Sequence, residues 1–282
     1  MKVSENLKKA SEILQESGVV DARRNANTLL GFLLRKDRAF LIAHDDYQLT
    51  EAEQKHFDEI IERRAKREPL QHITGKQEFF GLEFEVNRDV LIPRPETELI
   101  VENAIEILKA KENPRFCEVG VGSGCISVSI LHTLENTSAT GLDISEKALR
   151  TAKRNAEKHR VSERFDLQIS DVFEVLKDQR FDLIVSNPPY ISSDEIKDLQ
   201  TEVKNFEPLN ALTDGADGFS IIEKIIENAP RFLSSNGFLV MEIGFGQSER
   251  VGAMIDRKIW CEPEFLHDLQ GIPRTLKIRP VY

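Results

Sequence analysis

The sequence predicts an α/β protein, with a mostly parallel sheet covered by helices on both faces, preceded by a small helical bundle and a β-hairpin. Apolar residues recur at helical spacing through residues 1–75, and no strand pattern interrupts them. From about residue 95 onward, short apolar runs alternate with amphipathic helical patterns, which is typical of a parallel sheet. We therefore predict a helical domain at 1–75, a hairpin linker at 76–93 and an α/β domain at 94–282.

Three amphipathic patterns define the helices of the first part. Thr50 and Glu53 have the spacing of a capping box, so we expect a helix to begin there. The bundle should end near Pro69. The predicted buried faces are Val3, Leu7, Ala10 and Leu14; Ala22, Ala26, Leu29, Leu30 and Leu33; and Phe57, Ile60 and Ile61.

Residues 76–92 alternate between apolar and polar side chains, which predicts a hairpin with one buried face. Residues 87–89, Asn-Arg-Asp, are typical of a turn, and residues 90–92 would then form the second strand. The alternating apolar positions are Phe80, Leu82, Phe84 and Val86.

The α/β part begins with Pro95, which suits the first turn of a helix, and Ser145 is a predicted N-cap. Pro230 should kink or end its helix, and Asn236-Gly237 is a turn signal. Helices are predicted at about 95–110, 124–134, 146–158 and 218–233, and strands at 115–119, 139–143, 165–169, 181–186, 237–243 and near 262–268 and 274–281.

Composition limits the function classes. With 38 basic and 48 acidic residues the net charge is −10, so the chain has no bulk attraction to nucleic acid. No apolar run reaches the roughly 18 residues that span a membrane, and the three cysteines lack metal-ligand spacing. The basic run at 63–67 is expected to be a solvated helix end. We predict a cytoplasmic protein with reduced thiols, no metal site and no membrane partner.

A glycine-rich loop follows the first predicted strand of the sheet. Its G-x-G-x-G spacing differs from the G-x-G-x-x-G of dinucleotide sites. Glu118 directly before it is unfavourable beside a pyrophosphate but suits a cation, and S-adenosylmethionine carries a sulfonium and an ammonium without phosphate. We predict that this cofactor is bound by Glu118, Gly120, Val121, Gly122, Ser123 and Gly124.

Carboxylates also follow the next two strands. Asp143 is placed to accept the ribose hydroxyls, Asp171 to accept the adenine amine, and Val172 to pack on the ring. Each feature alone is also typical of a solvated strand end or a plain tight turn. Together, on three successive strand ends, they favour adenosine binding.

The fourth strand leads into Asn187-Pro188-Pro189-Tyr190. Two prolines fix two φ angles and remove two N–H donors, so the loop is rigid with fixed acceptors. The Asn187 side-chain oxygen and the Pro188 carbonyl can each accept one hydrogen of a planar NH₂ group, and Tyr190 can stack on the group that carries it. We also expect Asn187 to contact the methionine part of the donor. Adenine N6, cytosine N4, guanine N2 and a glutamine amide all fit, and the residues alone do not choose among them.

With these residues in place, the chain resembles the HemK-type (PrmC-type) family of N5-glutamine methyltransferases that act on peptide chain release factors. The resemblance implies a seven-stranded, Rossmann-like class I methyltransferase domain, with Thr97 near the cofactor. It also implies S-adenosylmethionine as donor, S-adenosylhomocysteine as product, the Gly-Gly-Gln loop of a release factor as acceptor, and a substrate-docking role for residues 1–75. It departs from the family at His72, where an aromatic residue is more frequent. The matching segments are 69–75, LIPRPETE at 91–98, Glu242-Ile243-Gly244 with Gln247, and Asp268-Leu269 with Gly271 and Arg274.

Three other function classes remain possible from the residues. An exocyclic-amine methyltransferase of DNA or RNA would use the same Asn187 loop, but it ordinarily needs a basic groove. A non-catalytic regulator that binds an adenosyl ligand would leave the proline-rigidified Asn187 unexplained. An NAD-dependent oxidoreductase is disfavoured by the glycine spacing and by Glu118.

Overall fold

The computed structural model describes residues 1–281, which group into two compact units. The helical unit comprises Met1–Lys76 and Gln200–Phe206, and the sheet unit comprises Gln77–Leu199 and the chain from Glu207 onward. Residues 200–206 were expected within the α/β domain but group with the helical unit. No helix within residues 1–281 has the length and apolar character needed to cross a membrane.

The helical unit is built on the predicted apolar faces, and the capping box that begins its fourth helix is confirmed. Thr50 N donates to Glu53 Oε2 at 2.8 Å, and Glu53 N donates to Thr50 Oγ1 at 3.3 Å. Three short helices of this unit, at Arg38–Ala43, Leu70–Thr74 and Thr201–Phe206, were not predicted, because one or two turns carry little periodic signal. The helices are α1 Val3–Glu16, α2 Ala22–Leu34, α3 Arg38–Ala43, α4 Glu51–Ala65, α5 Leu70–Thr74 and α9 Thr201–Phe206.

The basic run at the end of α4 is only partly the solvated helix end that was expected: Arg63 and Lys66 are exposed, but Arg64 and Arg67 are not. The Arg64 side chain is only 7% exposed and donates to Asn25 Oδ1 at 2.9 Å and to Glu202 Oε1 at 3.1 Å. Arg67 donates to both oxygens of the same carboxylate, at 2.7 and 2.6 Å. Glu202 lies in α9, far away in sequence, so a local reading of the run could not find this partner.

The sheet unit contains the predicted seven-stranded sheet, in the order β5-β4-β3-β6-β7-β9-β8. The first five of these are parallel, and β9 is antiparallel to both of its neighbours. Its strands are β3 Arg115–Val119, β4 Ser138–Asp143, β5 Phe165–Ile169, β6 Phe181–Ser186, β7 Leu233–Glu242, β8 Glu264–His267 and β9 Pro273–Ile278, and its helices are α6 Glu98–Leu108, α7 Cys125–Thr133, α8 Glu146–Lys158, α10 Leu209–Leu212, α11 Ser220–Asn228 and α12 Ser248–Met254.

Both faces of this sheet are buried, which is why its central strands read as continuous apolar runs. Side chains alternate along a strand, so Phe116 packs in the apolar cluster of one face and Cys117 in that of the other. On the first face the cluster includes side chains of α6, α7 and α8, and on the second it includes side chains of α11. Helices therefore cover the sheet on both faces, as predicted.

The hairpin has a different turn from the one predicted. Its strands are β1 Lys76–Phe79 and β2 Leu82–Glu85, joined by Phe80-Gly81 with φ of 50° and 72°. Positive φ at both central residues is the geometry of a tight two-residue hairpin turn, here with Phe where Asn or Asp is usual. The Phe80 N–H donates to Glu98 Oε1 at 2.8 Å. Residues 87–89 do turn, but residues 90–92 form no strand.

The turn expected at Asn236-Gly237 was also wrong, because these residues lie inside β7. The pairing of β6 with β7 shifts there, from Phe181 opposite Leu233 to Leu183 opposite Phe238, so the intervening residues bulge. Gly237 fits this irregularity since a Cβ there would lie 2.9 Å from the Phe181 carbonyl oxygen. Pro230 ends its helix as predicted, because α11 stops at Asn228 and a short 3₁₀ turn follows.

Removing the Glu202 carboxylate should destabilise the helical unit. Glu202→Ala leaves the buried Arg64 guanidinium without its anionic partner, which we expect to cost about 1–3 kcal/mol of unfolding free energy. Urea titration would measure this loss, and hydrogen exchange would show faster exchange of the α9 amides.

The matched control is Glu62→Ala, which removes the exposed partner of Lys66 and should change neither measurement. Equal losses of unfolding free energy in the two variants would show that the buried ion pair stabilises the helical unit no more than the exposed pair does.

Candidate functional site

A cavity of about 350 Å³ opens in the sheet unit at the carboxyl ends of the parallel strands. The chain order reverses between the adjacent strands β3 and β6, and such a switch point leaves a crevice where α/β proteins bind ligands. Gly124, Pro188 and Tyr190 were predicted as site residues but do not line the cavity. The predicted residues that do line it are Thr97, Glu118, Gly120, Val121, Gly122, Ser123, Asp143, Asp171, Val172, Asn187 and Pro189.

The glycine loop lies across the β3–β6 crevice. Its Gly120 N–H donates to the Leu142 carbonyl at 2.8 Å, and a Cβ on Gly120 would lie 3.8 Å from the Asn187 carbonyl oxygen. Gly124 is the N-cap of α7 with φ of 79°, and a Cβ there would approach the Ala152 Cβ to 3.1 Å. Gly124 thus shapes the loop from behind, which explains why it does not face the cavity.

Asp143 fixes the loop as well as facing the cavity. Its Oδ2 accepts the Gly122 N–H at 2.9 Å, and its Oδ1 accepts the Ser145 N–H at 2.8 Å. Burial raises the pKa of this carboxyl, and the two N–H donors oppose that shift. Since each carboxylate oxygen can accept a second hydrogen bond, the carboxylate can also receive two hydroxyls of a ligand.

Glu118 is a buried carboxylate with one unsatisfied oxygen. Its side chain lies on β3 and the residue is 1% exposed; Oε2 accepts the Ser127 N–H at 3.1 Å. Oε1 is buried and has no hydrogen-bond partner among residues 1–281. Burial, with a smaller contribution from the nearby Asp143 carboxylate, raises the pKa of Glu118 to about 8. A buried carboxylate in this state fits a cationic ligand, which would supply the missing partner and favour the charged form.

Beyond β5, the Asp171 carboxylate is paired with Lys224 Nζ on α11 at 2.9 Å. The following Val172 has φ of 51°, which is rare for a β-branched residue and is found where surrounding structure enforces it. Sequence reasoning missed Lys224, because nothing near it in the chain points to the cavity.

The Asn187 side chain is held by a buried hydrogen-bond network. Asn187 Nδ2 donates to Thr97 Oγ1 at 3.0 Å, and Thr97 Oγ1 donates to Glu242 Oε2 at 2.7 Å. The Tyr190 hydroxyl donates to Glu242 Oε1 at 3.0 Å, and its ring packs against the apolar cluster of the second face. Burial raises the pKa of both Glu242 and Tyr190. Thr97, Asn187 and Tyr190 therefore meet at one carboxylate.

The contacts of Glu242 were not predicted from the sequence, although a signal existed. It ends a parallel strand, as Asp143 does, and carboxyl ends of parallel strands meet at one edge. A second missed carboxylate is Glu207, whose side chain is 1% exposed. It pairs with Arg94 and accepts the Ile92 N–H at 3.2 Å, which fixes the segment 91–98 beside the cavity.

Comparisons with known proteins extend over nearly the whole chain. The family described as PrmC N-terminal domain matches residues 5–75, and the family described as methyltransferase small domain matches residues 97–205. The release factor glutamine methyltransferase of Geobacter sulfurreducens is 43% identical over 263 residues, covering 93% of this chain and 91% of that protein. The enzyme of the same name from Clostridium botulinum is 37% identical and covers 95% of each chain.

A comparison with solved structures finds a protein that shares the fold of this chain. A methyltransferase structure from Pyrococcus furiosus superposes with a TM-score of 0.53 at 18% identity, covering 78% of this chain and 98% of that one. At that identity the likeness concerns the fold alone. Sequence identity with the two curated enzymes over almost their full length is the stronger finding, and by it this chain belongs to the family of release factor glutamine methyltransferases.

Proposed function

We propose that this chain transfers a methyl group from S-adenosylmethionine to the side-chain amide nitrogen of the glutamine in the Gly-Gly-Gln loop of a release factor. One observation carries the proposal: a single cavity is lined both by the unsatisfied carboxylate of Glu118 and by the Asn187 amide. The first suits the cationic end of the donor, and the second suits a planar NH₂ group. The family relatives are named for this reaction.

In the donor half of the cavity, Glu118 would pair with the ammonium of the donor and Asp143 would accept its ribose hydroxyls. Asp171 and Val172, which follow β5, would lie at the adenine, with Lys224 holding the Asp171 carboxylate in place. When bound, S-adenosylmethionine supplies a methyl group activated by the positive charge on sulfur. The protein's part is to hold that group in a fixed direction and to exclude water.

In the acceptor half, the Asn187 side-chain oxygen would accept one hydrogen of the glutamine NH₂. Pro188 does not line the cavity, but its carbonyl directly follows Asn187 along the chain, and we propose that it accepts the other hydrogen when the acceptor is bound. An amide nitrogen is a poor nucleophile because its lone pair is conjugated with the carbonyl. Accepting both N–H bonds raises the electron density on nitrogen and directs the lone pair at the methyl group. In-line transfer from a sulfonium needs mainly this orientation, and the proton can leave after the new C–N bond has formed.

We assign the docking of the release factor to the helical unit. A groove of about 960 Å³ in this unit is lined by four cations, Arg23, Arg24, Lys36 and Arg38, and by one anion, Asp21. Residues 1–75 of this unit hold 13 basic and 13 acidic residues and so are electrically balanced, whereas residues 76–282 carry the net charge of −10. This groove would attract an acidic face of a folded partner. Since translation termination takes place in the cytoplasm, the proposal keeps the expected cytoplasmic location.

Donor binding should strengthen as the pH rises toward 8. The pKa of Glu118 is raised from its ordinary value to about 8, so at neutral pH the free protein carries a proton that a bound ammonium must displace. Below that pKa, affinity should fall by about tenfold per pH unit. Calorimetry between about pH 6 and about pH 8.5 would measure this dependence of donor affinity on pH.

The control is Glu118→Gln, which cannot ionise. It should bind the donor weakly at every pH, with the pH dependence removed. A flat profile for the unaltered protein would remove Glu118 from the ammonium site.

Asn187→Ala should lower turnover far more than donor affinity. An interaction made with the acceptor in the transition state appears in kcat, and losing such an orienting group costs about 10²–10³ in rate. Radiolabelled methyl transfer would give kcat, and calorimetry would give the donor Kd.

Asn136→Ala is the matched control, because Asn136 is exposed and precedes β4 at the opposite end of the strands. It should match the unaltered protein in both measurements. An Asn187→Ala protein with normal kcat and weakened donor binding would contradict the assigned role.

The intact release factor should be a much better substrate than a short peptide containing Gly-Gly-Gln, because docking supplies remote binding energy. Reversing the groove charge with Arg23→Glu and Arg24→Glu should raise KM for the intact factor and leave the peptide unaffected. Mass spectrometry should find one added methyl on the glutamine.

Lys8→Glu with Lys9→Glu makes the same charge change on α1, outside the groove, and should leave both substrates unaffected. Label in DNA or ribosomal RNA, with none in the factor, would instead support an exocyclic-amine methyltransferase.

A further inference from the structure

The orientation of the Asn187 amide can be read from the hydrogen bonds that lead away from it. A carboxamide has an oxygen end that accepts and a nitrogen end that donates, and only its surroundings decide which end faces a ligand. Here the nitrogen end donates to Thr97 Oγ1 at 3.0 Å. The oxygen end is therefore the one left for the cavity that Asn187 lines.

Glu242 sets this direction. Its carboxylate is 2% exposed, and it accepts one hydroxyl on each oxygen, from Thr97 at 2.7 Å and from Tyr190 at 3.0 Å. A threonine hydroxyl has one hydrogen. Once that hydrogen is committed to Glu242, the Thr97 oxygen can only accept, and its partner must present a donor. The only end of the Asn187 amide that satisfies it is the nitrogen.

We propose that Glu242 is a positioning residue which, acting through Thr97, holds the Asn187 amide with its oxygen toward the acceptor. The proposal rests on the proposed function and adds a source of acceptor specificity to it. A flipped amide would present its NH₂ to the NH₂ of the substrate, so two donors would face each other and neither would be accepted. The fixed orientation of the Asn187 amide also selects against an acceptor with a carboxylate in place of the glutamine amide, because an ionised carboxylate has no hydrogen to donate to the Asn187 oxygen.

The same carboxylate couples Asn187 to Tyr190. The Tyr190 main-chain carbonyl accepts the Gln247 Nε2 at 2.9 Å, and Gln247 Oε1 accepts the Gly244 N–H at 2.8 Å. The last residue of the Asn-Pro-Pro-Tyr loop is thus held by the chain segment that follows β7, in which Glu242 is the final strand residue. Both ends of the loop depend on the end of one strand.

We call the hydrogen-bonded chain from Glu242 through Thr97 to Asn187 the relay. The test compares the unaltered protein with two variants of Thr97, the middle residue of the relay. Thr97→Val keeps the shape of the side chain but removes the hydroxyl, so the Asn187 amide loses its directing partner. We expect kcat for the release factor to fall by on the order of 100-fold, with donor Kd changed less than about threefold. Thr97→Ser restores the hydroxyl and should recover most of the lost kcat, which a role in packing alone would not predict.

A double-substitution cycle tests whether Thr97 acts through Asn187. If it does, Thr97→Val combined with Asn187→Ala should be no slower than Asn187→Ala alone, because the amide that the relay orients is already absent. Glu242→Gln should lower kcat as well, because its NH₂ can donate to Thr97 or Tyr190 and so removes one of the two fixed acceptors.

The outcomes separate this inference from the proposed function. Multiplicative losses in the double variant, or a Thr97→Val protein that loses donor affinity and keeps kcat, would overturn the relay while leaving the reaction intact. Thermal unfolding of each variant identifies any that fails to fold. If a variant other than the two at Thr97 fails, the difference in kcat between Thr97→Ser and Thr97→Val still tests the relay. An unaltered protein that binds the donor but methylates no release factor would reject the proposed function itself.

Discussion

The site depends on one constraint of chain topology: β3 and β6 are neighbours in a parallel sheet, but the chain leaves them toward different sides. No connection can fill the gap above two such strand ends, so a crevice forms there. The glycine loop enters the crevice from β3, and the Asn187 loop enters it from β6. Donor and acceptor functions can therefore share one cavity although their residues lie far apart in the sequence.

Carboxylates at the ends of these strands perform different tasks because their surroundings differ. Asp143 has both oxygens on N–H groups, so its side chain is held in one position. Glu118 has one buried oxygen without a partner, which leaves a place for a cation. Glu242 has both oxygens on hydroxyls, which makes it a fixed point for other side chains. A carboxylate at the end of a strand can therefore bind a ligand, fix a loop or orient another side chain, depending on which groups donate hydrogen bonds to it.

Most of the fold could be predicted from the sequence because its signals are local. Strands buried on both faces, helical periodicity and the Thr50 capping box each occupy a few consecutive residues. Prediction failed where a distant contact decided the outcome. Arg64 is buried because Glu202 neutralises it, the hairpin turns at Phe80-Gly81, where the Phe80 N–H bonds to Glu98, and Asn236-Gly237 forms a bulge inside β7.

The same division holds in the site. Motifs identified the loops that line the cavity, because glycines and prolines constrain their own backbone. They did not identify Lys224 or Glu207, and they gave no role to Glu242 although it lies in a segment that matches the family; all three act on those loops from other elements. A motif specifies which groups can face a ligand, but the direction in which an amide or hydroxyl points is set by whatever accepts or donates behind it. For Asn187 that information lies in Glu242, so the chemistry of the loop is completed by a strand that contributes no residue to the motif.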